Sequence, residues 1–132
     1  MRVMVMVKAA SNSEARMAGT DLQTAMGQFN QELIRAGVLL AGDALQPSSR
    51  GKWVRFSGGK RLVTDGPFAD TKEVVAGYWL WQVKSMQEAL EWVRRCPDPM
   101  PGEEAEIEIR SVIEAEDLVK PRAPGLQRRC KV

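Results

Sequence analysis

The chain contains no histidine. Imidazole is the usual general base of hydrolytic triads and a frequent metal ligand, so this absence excludes those triads and every His-containing metal site. It also removes the simplest proton shuttle near neutral pH. Any chemistry in this chain must therefore rely on carboxylates, lysine, tyrosine, hydroxyls or backbone groups.

Cysteines and long apolar runs are also scarce. The two cysteines, Cys96 and Cys130, are far apart in the sequence, which argues against a structural disulfide or a metal site. No apolar run approaches the roughly 18 residues that cross a bilayer, and the segment between Arg2 and Lys8 is too short for a signal peptide. We therefore expect no metal, no membrane association and a cytoplasmic location.

The net charge of +2 hides an asymmetry along the chain. Residues 118–132 carry five cations and no acids, whereas residues 1–117 carry fourteen cations and seventeen acids. Prolines and glycine interrupt the basic segment, which predicts one folded domain at 1–115 followed by a flexible basic tail at 116–132. The folded part shows no basic stripe with interleaved aromatic residues, so nucleic acid is not an expected partner.

Hydrophobic periodicity predicts an α+β fold. Two sequences with the pattern of a capping box, at Thr20 and at Ser85, mark the starts of two helices that end at Gly37 and before Pro97. Alternating or continuous apolar residues predict strands at 2–8, 38–45, 52–56, 60–64, 74–83 and 104–113. The turn chemistry of Ser57, Gly58 and Gly59 joins two of them in a hairpin. The order predicts a ferredoxin-like split βαβ plan, with an antiparallel sheet and an inserted β-hairpin.

Both helices of such a plan pack on one face of the sheet, and the other face must also be covered. If the valines of the first strand face the helices, its methionines face away from them. That second face would hold Met4 and Met6 with either Tyr78 and Leu80 or Trp79 and Trp81. So much exposed apolar surface favours a symmetric homodimer that buries sheet against sheet.

The stretch Asp65-Gly66-Pro67-Phe68, preceded by Thr64 and followed by Thr71-Lys72-Glu73, resembles the DGPF signature of the YCII-related domain family. Further blocks of resemblance occur in order at 29–33, 36–43, 46–48, 77–78 and 89–92, so that it covers about residues 1–113. The resemblance implies a dimeric α/β barrel of unassigned biochemical activity, with an extracytoplasmic-function sigma factor as one candidate partner. Some relatives pair a cleft histidine with an aspartate. Here only the acidic half can be present, and Asp43 is the candidate by position.

The DGPF stretch has a structural and a functional interpretation. Structurally, Asp65 would accept backbone N–H bonds in a turn, Gly66 would adopt backbone angles closed to other residues, Pro67 would fix the chain direction and Phe68 would fill the core. Functionally, the same rigid loop would form a pocket wall. The candidate ligand-binding residues are Phe68, Asp70, Thr71, Lys72 and Arg55.

Asp43 and Asp65 are the candidate catalytic residues. Asp43 is either a turn residue that pairs with Arg35 or Arg50, or a carboxylate at a cleft mouth, where partial burial would raise its pKa. Arg55 is also predicted to face Arg61 across the hairpin, where the two would clamp an anion or simply be solvated.

Two functional hypotheses remain open. The first is a homodimer that binds a small molecule, with carboxylate-based acid–base catalysis and no implied cofactor. The second is a regulatory module that docks on a protein partner such as a sigma factor.

Overall fold

A computed structural model describes residues 1–9, 20–66, 74–100 and 105–119 of the chain. The helices are α1 (Thr20–Arg35), α2 (Met86–Arg94) and the short α3 (Ala115–Val119), and a 3-10 turn covers Ser48–Arg50. The strands are β1 (Arg2–Ala9), β2 (Leu39–Ala44), β3 (Lys52–Ser57), β4 (Lys60–Asp65), β5 (Val74–Gln82) and β6 (Glu106–Ser111). The third helix was not predicted, and β6 is shorter at both ends than expected.

Four strands form an antiparallel sheet in the order β2-β5-β1-β6, and β3 and β4 form a separate two-stranded sheet. This arrangement confirms the α+β, ferredoxin-like plan with an inserted hairpin. The predicted division into a domain at 1–115 and a tail at 116–132 stays a prediction, since most of the tail lies outside the described residues. Across the described ranges, no helix has the length and apolar character that a membrane span requires.

The helix ends follow from local chemistry. Gly37 has a φ of 73°, and its N–H and that of Val38 donate to the carbonyls of Ile34 and Leu33, which is the hydrogen-bond pattern of a Schellman motif. At the start of α2, the Ser85 hydroxyl accepts a hydrogen bond from the Glu88 backbone N–H at 3.1 Å. The predicted cap at Ser85 is therefore confirmed.

The core lies between the helices and one face of the sheet. Val3, Val5 and Val7 are buried on that face, as predicted, and Trp81 and Trp79 pair with Val3 and Val5 in the register of β1 and β5. The ring of Phe29 from α1 meets both indoles edge-on, with ring centres 5.8 and 6.3 Å apart. The two tryptophans therefore belong to the core.

The opposite, open face of the sheet carries Tyr78 and Leu80 from β5, the other pair that the sequence allowed there. Met4 pairs with Leu80 and Met6 with Tyr78, and all four side chains are half-buried. Charged side chains flank them on β6, where Glu108 accepts a hydrogen bond from Lys8 at 3.2 Å. The open face is thus apolar at its centre and charged at one side.

Candidate functional site

A cleft of about 120 Å³ lies where α1 passes the ends of β2 and β5. Its lining residues are Val7, Met26, Asn30, Gly42, Asp43, Ala44, Gly77, Tyr78 and Trp79. Four elements, β1, α1, β2 and β5, each contribute side chains or backbone to the walls. Because three of these elements are strands of one sheet, the walls are held by the core of the protein.

Asp43 and Tyr78 border the cleft, and alternation along β2 and β5 directs their side chains to the open face of the sheet, away from Trp79 and α1. Asp43 and Tyr78 are directly opposite each other in the register of β2 and β5, so their side chains project from the same face. The Tyr78 hydroxyl donates to Asp43 Oδ2 over 3.5 Å, which is long for an O–H···O bond and leaves room for a third group to compete. The pair offers both an acceptor and a donor to a ligand.

Asp43 lies within β2, in agreement with the strand predicted at 38–45, so its interpretation as a turn residue is wrong. Asp43 is also exposed, so the partial burial expected at a cleft mouth is not found. Within the described part of the chain, neither Arg35 nor Arg50 forms an ion pair with it. Asp43 borders a cleft in a more open environment than that interpretation required, and its catalytic role stays a prediction.

Trp79 and Asn30 form the wall of the cleft on the helix side of the sheet. The indole Nε1 of Trp79 donates to Asn30 Oδ1 at 2.9 Å, and Trp79 is only 7% exposed. This bond occupies the amide oxygen of Asn30 and orients the side chain, so that the amide nitrogen is the group left to donate at the wall. Asn30 was not among the predicted site residues, although its spacing of four residues from Met26 on α1 places both on one helix face.

Gly42 permits the close approach of β2 to this wall. A Cβ at this position would lie 2.6 Å from Trp79 Cδ1 and 3.2 Å from the Tyr78 carbonyl oxygen. Both distances are below ordinary van der Waals contact, so only glycine leaves the indole undisturbed. The glycine before Asp43 is thus explained by packing at the cleft.

The remaining described candidates lie on the hairpin. Asp65 ends β4, and its carboxylate accepts a hydrogen bond from the Lys52 ammonium at the base of the hairpin. Asp65 is not among the residues that line the cleft. The other candidates from this loop, Phe68, Asp70, Thr71 and Lys72, together with Pro67, lie outside the described residues.

Gly66 is needed for a different reason from the one predicted. Its backbone does not adopt a positive φ, so the expected need for unusual angles was wrong. A Cβ there would lie 1.7 Å from the carbonyl oxygen of Ser48, and the Gly66 N–H donates to the Gly51 carbonyl at 3.0 Å. Close contact between two backbone segments is what requires glycine.

The predicted clamp of Arg55 and Arg61 is also wrong. Arg55 pairs with Leu62 and Arg61 pairs with Phe56, so the two arginines project from opposite faces of the hairpin. The Arg61 guanidinium lies 4.9 Å from the centre of the Phe56 ring instead. Arg55 is exposed, and its role in ligand binding stays a prediction.

Two other clusters of titratable groups are structural. Burial, with a smaller contribution from Asp98, raises the pKa of the Cys96 thiol to about 12, which keeps it protonated and unreactive near neutral pH. At the end of β1, the Arg2 guanidinium donates to both Glu114 carboxylate oxygens at 3.0 and 3.1 Å, and these hydrogen bonds lower the pKa of Glu114. Neither cluster has the arrangement of a reactive centre.

Comparison with known proteins identifies the family. The model of the YCII-related domain matches residues 1–116. The chain belongs to the YCII-related family. An uncharacterized protein of Rhizobium meliloti strain 1021 is 32% identical over 77 residues, which make up 58% of this chain and 62% of that protein. The match thus spans less than two thirds of the relative.

The family assignment agrees with the resemblance noted in the sequence, and it gives Asp43 a context. The cleft histidine of some YCII-related proteins has no counterpart here, because the chain has no histidine. Asp43 nevertheless lies at a cleft, with the Tyr78 hydroxyl at 3.5 Å. In this YCII-related chain, the hydroxyl beside the aspartate is that of Tyr78.

Proposed function

We propose that this YCII-related protein is a homodimer that binds a small molecule in the Asp43 cleft. The proposal is supported by the apolar wall that Trp79 and Met26 form on the helix side of the sheet, and by the Asp43–Tyr78 pair, which borders the same cleft from the open face. Small-molecule sites commonly combine an apolar cavity with a few convergent polar groups, and this cleft has that composition.

The size and chemistry of the cleft define the class of ligand. The cleft, at about 120 Å³, is smaller than the cavity of about 150 Å³ that holds benzene, so it admits a short chain or one edge of a small ring. The Asp43 carboxylate selects a hydroxyl, an amine or another hydrogen-bond donor on that ligand, and the Asn30 amide can donate to an acceptor. We therefore infer a small amphipathic metabolite with a donor group at one end.

Acid–base catalysis is the reaction type that this arrangement supports. The Asp43 carboxylate would accept a proton from the bound ligand, and Tyr78 would orient the carboxylate through its hydroxyl. Asp65 is exposed and ion-paired with Lys52 on the hairpin, so our proposal assigns the proton transfer to Asp43 alone.

The homodimer is proposed from the open face of the sheet. Met4, Met6, Tyr78 and Leu80 form an apolar centre on a face that neither helix covers. Packing this face against its copy would remove the centre from water and place Tyr78 of each protomer near the interface. The cleft and the interface would then share Tyr78, so that dimer formation would stiffen one wall of the site.

A thermal-shift screen tests the binding proposal. The panel should include small amines, hydroxylated aromatic compounds, carboxylates and phosphates. A ligand at about 100 times its dissociation constant adds roughly 2.7 kcal/mol to the free energy of unfolding. The stabilisation should be lost in Asp43→Asn and retained in Asp65→Asn, which removes an exposed carboxylate away from the cleft. A ligand that stabilises Asp43→Asn as strongly as the unmodified protein would contradict the site.

One observation favours a second function, docking on another protein such as a sigma factor. The hairpin exposes several large apolar side chains, of which Phe56 is 69% exposed. A pull-down in which the protein captures a defined sigma factor, and loses it when Phe56 is replaced by Thr, would support this alternative.

A further inference from the structure

The hairpin of β3 and β4 is the most exposed part of the described structure. Every residue of both strands is exposed, and none of them belongs to the hydrophobic core. Gly58 and Gly59, both at positive φ, form its turn, and Lys52 pairs with Asp65 at its base. The hairpin is therefore well defined in itself, and among the described residues its strands pair only with each other.

Both faces of the hairpin carry apolar side chains. Val54 pairs with Val63 on one face, beside the pair of Phe56 and Arg61. The other face has Trp53 and Leu62. Five large apolar residues are therefore about half exposed or more: Trp53 48%, Val54 50%, Phe56 69%, Leu62 50% and Val63 61%.

A hairpin with these side chains is stabilised when a second surface packs against them. An isolated two-stranded hairpin is at best marginally stable in water, and exposed apolar patches commonly mark contact sites. Among the described residues, those of the hydrophobic core do not include the patch. A partner that packs on the apolar side chains would supply the missing burial.

Charge indicates which partner fits. Residues 52–65 carry four cations and one acid, whereas the rest of residues 1–117 carries ten cations and sixteen acids. The hairpin is thus basic and the remainder of the domain is acidic. A second copy of the chain offers the complementary charge, and opposite charges on two surfaces steer their association.

The contacts within the hairpin argue against nucleic acid as the occupant. Of the four cations, Lys52 is bound to Asp65, and the Arg61 guanidinium lies over the Phe56 ring. Three of the five exposed apolar residues are aliphatic, and aliphatic side chains do not stack on bases. Protein surface matches this composition better than a phosphate backbone does.

We propose that the β3–β4 hairpin is an arm that packs on the acidic body of a second copy of this chain. This inference rests on the proposed homodimer and adds a second contact region to it, outside the open sheet face. In a twofold dimer each arm would be used once, so that two equivalent arm contacts would form per dimer.

Sedimentation equilibrium on three variants tests the arm. The double variant Phe56→Thr/Val63→Thr keeps β-forming residues in the hairpin and removes two apolar side chains, and it should raise the dimer dissociation constant at least about tenfold. Ile34→Gln is the matched control, because Ile34 is 52% exposed on α1 and is part of neither proposed contact, so it should change nothing. Met4→Glu probes the open face, where the new carboxylate would lie opposite Arg110.

The outcomes separate the arm from the sheet-face dimer. If Met4→Glu weakens the dimer and the hairpin variant does not, the arm is wrong and the sheet-face contact stands. If the hairpin variant weakens the dimer and Met4→Glu does not, the arm stands and the sheet-face contact is wrong. A protein that stays monomeric at all concentrations overturns both.

Limited trypsin digestion of the unmodified protein gives a readout that does not depend on the folding of a variant. Cleavage after Lys60 and Arg61 should slow as the protein concentration rises through the dimer dissociation constant. Cleavage that is equally fast at all concentrations would overturn the arm. Binding of a single-stranded oligonucleotide that is lost in Phe56→Thr/Val63→Thr would also overturn it, in favour of nucleic acid.

Discussion

The replacement of Gly42 by alanine tests the packing that shapes the cleft. The added Cβ would lie 2.6 Å from Trp79 Cδ1, a distance that real Cβ contacts do not adopt. Trp79 is only 7% exposed and packs against Phe29 and Trp81, so its indole cannot simply rotate away. The backbone of β2 or the indole must shift, and either movement changes the cleft wall.

The expected cost has two parts. Overpacking of a filled site costs typically about 1–3 kcal/mol. Displacement of the indole also weakens its hydrogen bond to Asn30, which contributes about 0.5–1.5 kcal/mol. We therefore expect Gly42→Ala to lower the free energy of unfolding by about 1.5–4.5 kcal/mol. This is a large share of the roughly 5–15 kcal/mol that stabilises a typical domain.

Gly27→Ala is the matched control for this experiment. Gly27 lies inside α1, and a Cβ at this position would have no atom within 4 Å. Alanine should therefore stabilise the helix by about 0.5–1 kcal/mol. Urea denaturation followed by circular dichroism measures the free energy of unfolding of both variants. The dependence of that free energy on urea concentration should be unchanged, which shows that the unfolded state is unaffected. If Gly42→Ala unfolds at the same urea concentration as the unmodified protein, the proposed close contact at the cleft is refuted.

Three further predictions concern packing and pH. Trp81 is fully buried, and among the described residues its Nε1 has no hydrogen-bond partner, whereas Trp79 Nε1 has one. Trp81→Phe should therefore lower the free energy of unfolding by about 1 kcal/mol less than Trp79→Phe does, as measured by urea denaturation. Equal losses in the two variants would contradict this. The pKa of the Cys96 thiol is raised from 9.0 to about 12 in the folded protein. The stability that this shift contributes is complete below pH 9 and is lost as the pH rises towards 12. In thermal melts, the melting temperature of Cys96→Ala should therefore fall less steeply between pH 9 and 12 than that of the unmodified protein. Gly66→Ala should cost at least about 1–3 kcal/mol in the same denaturation assay, because its Cβ would overlap a backbone carbonyl, and a neutral effect would exclude that contact.

Much of the fold follows from periodicity and turn chemistry. The alternation in β1 correctly predicted Val3, Val5 and Val7 as the buried face, because successive side chains of a strand point to opposite faces of the sheet. The run of β5 is apolar at successive positions, so its sequence does not show which residues face the helices. Its tryptophans could therefore lie either on the helix face or on the open face. Packing against Phe29 from α1 decides between them, and that contact is not a local property of the strand.

The candidate site was only partly predictable. Asp43 was found through its position in a family resemblance, but Asn30 was missed because its role depends on a hydrogen bond to Trp79, 49 residues away in the sequence. The clamp of Arg55 and Arg61 failed because it depended on the hairpin register, and a shift of one residue moves a side chain to the other face. Gly66 was recognised as special for the wrong reason, since a close contact with another segment leaves no local signal.

A fragment screen by two-dimensional NMR of the ¹⁵N-labelled protein tests the central claim most directly, because any fragment that fits a site reveals its location through the amide signals around it. We expect small amphipathic fragments with a donor group to shift the amide signals of the cleft, namely those of Asn30, Gly42, Asp43, Tyr78 and Trp79. These shifts should disappear in Asp43→Asn. Fragment shifts that map to the hairpin or elsewhere, with the cleft signals unchanged, would contradict the proposal that the Asp43 cleft is the ligand-binding site.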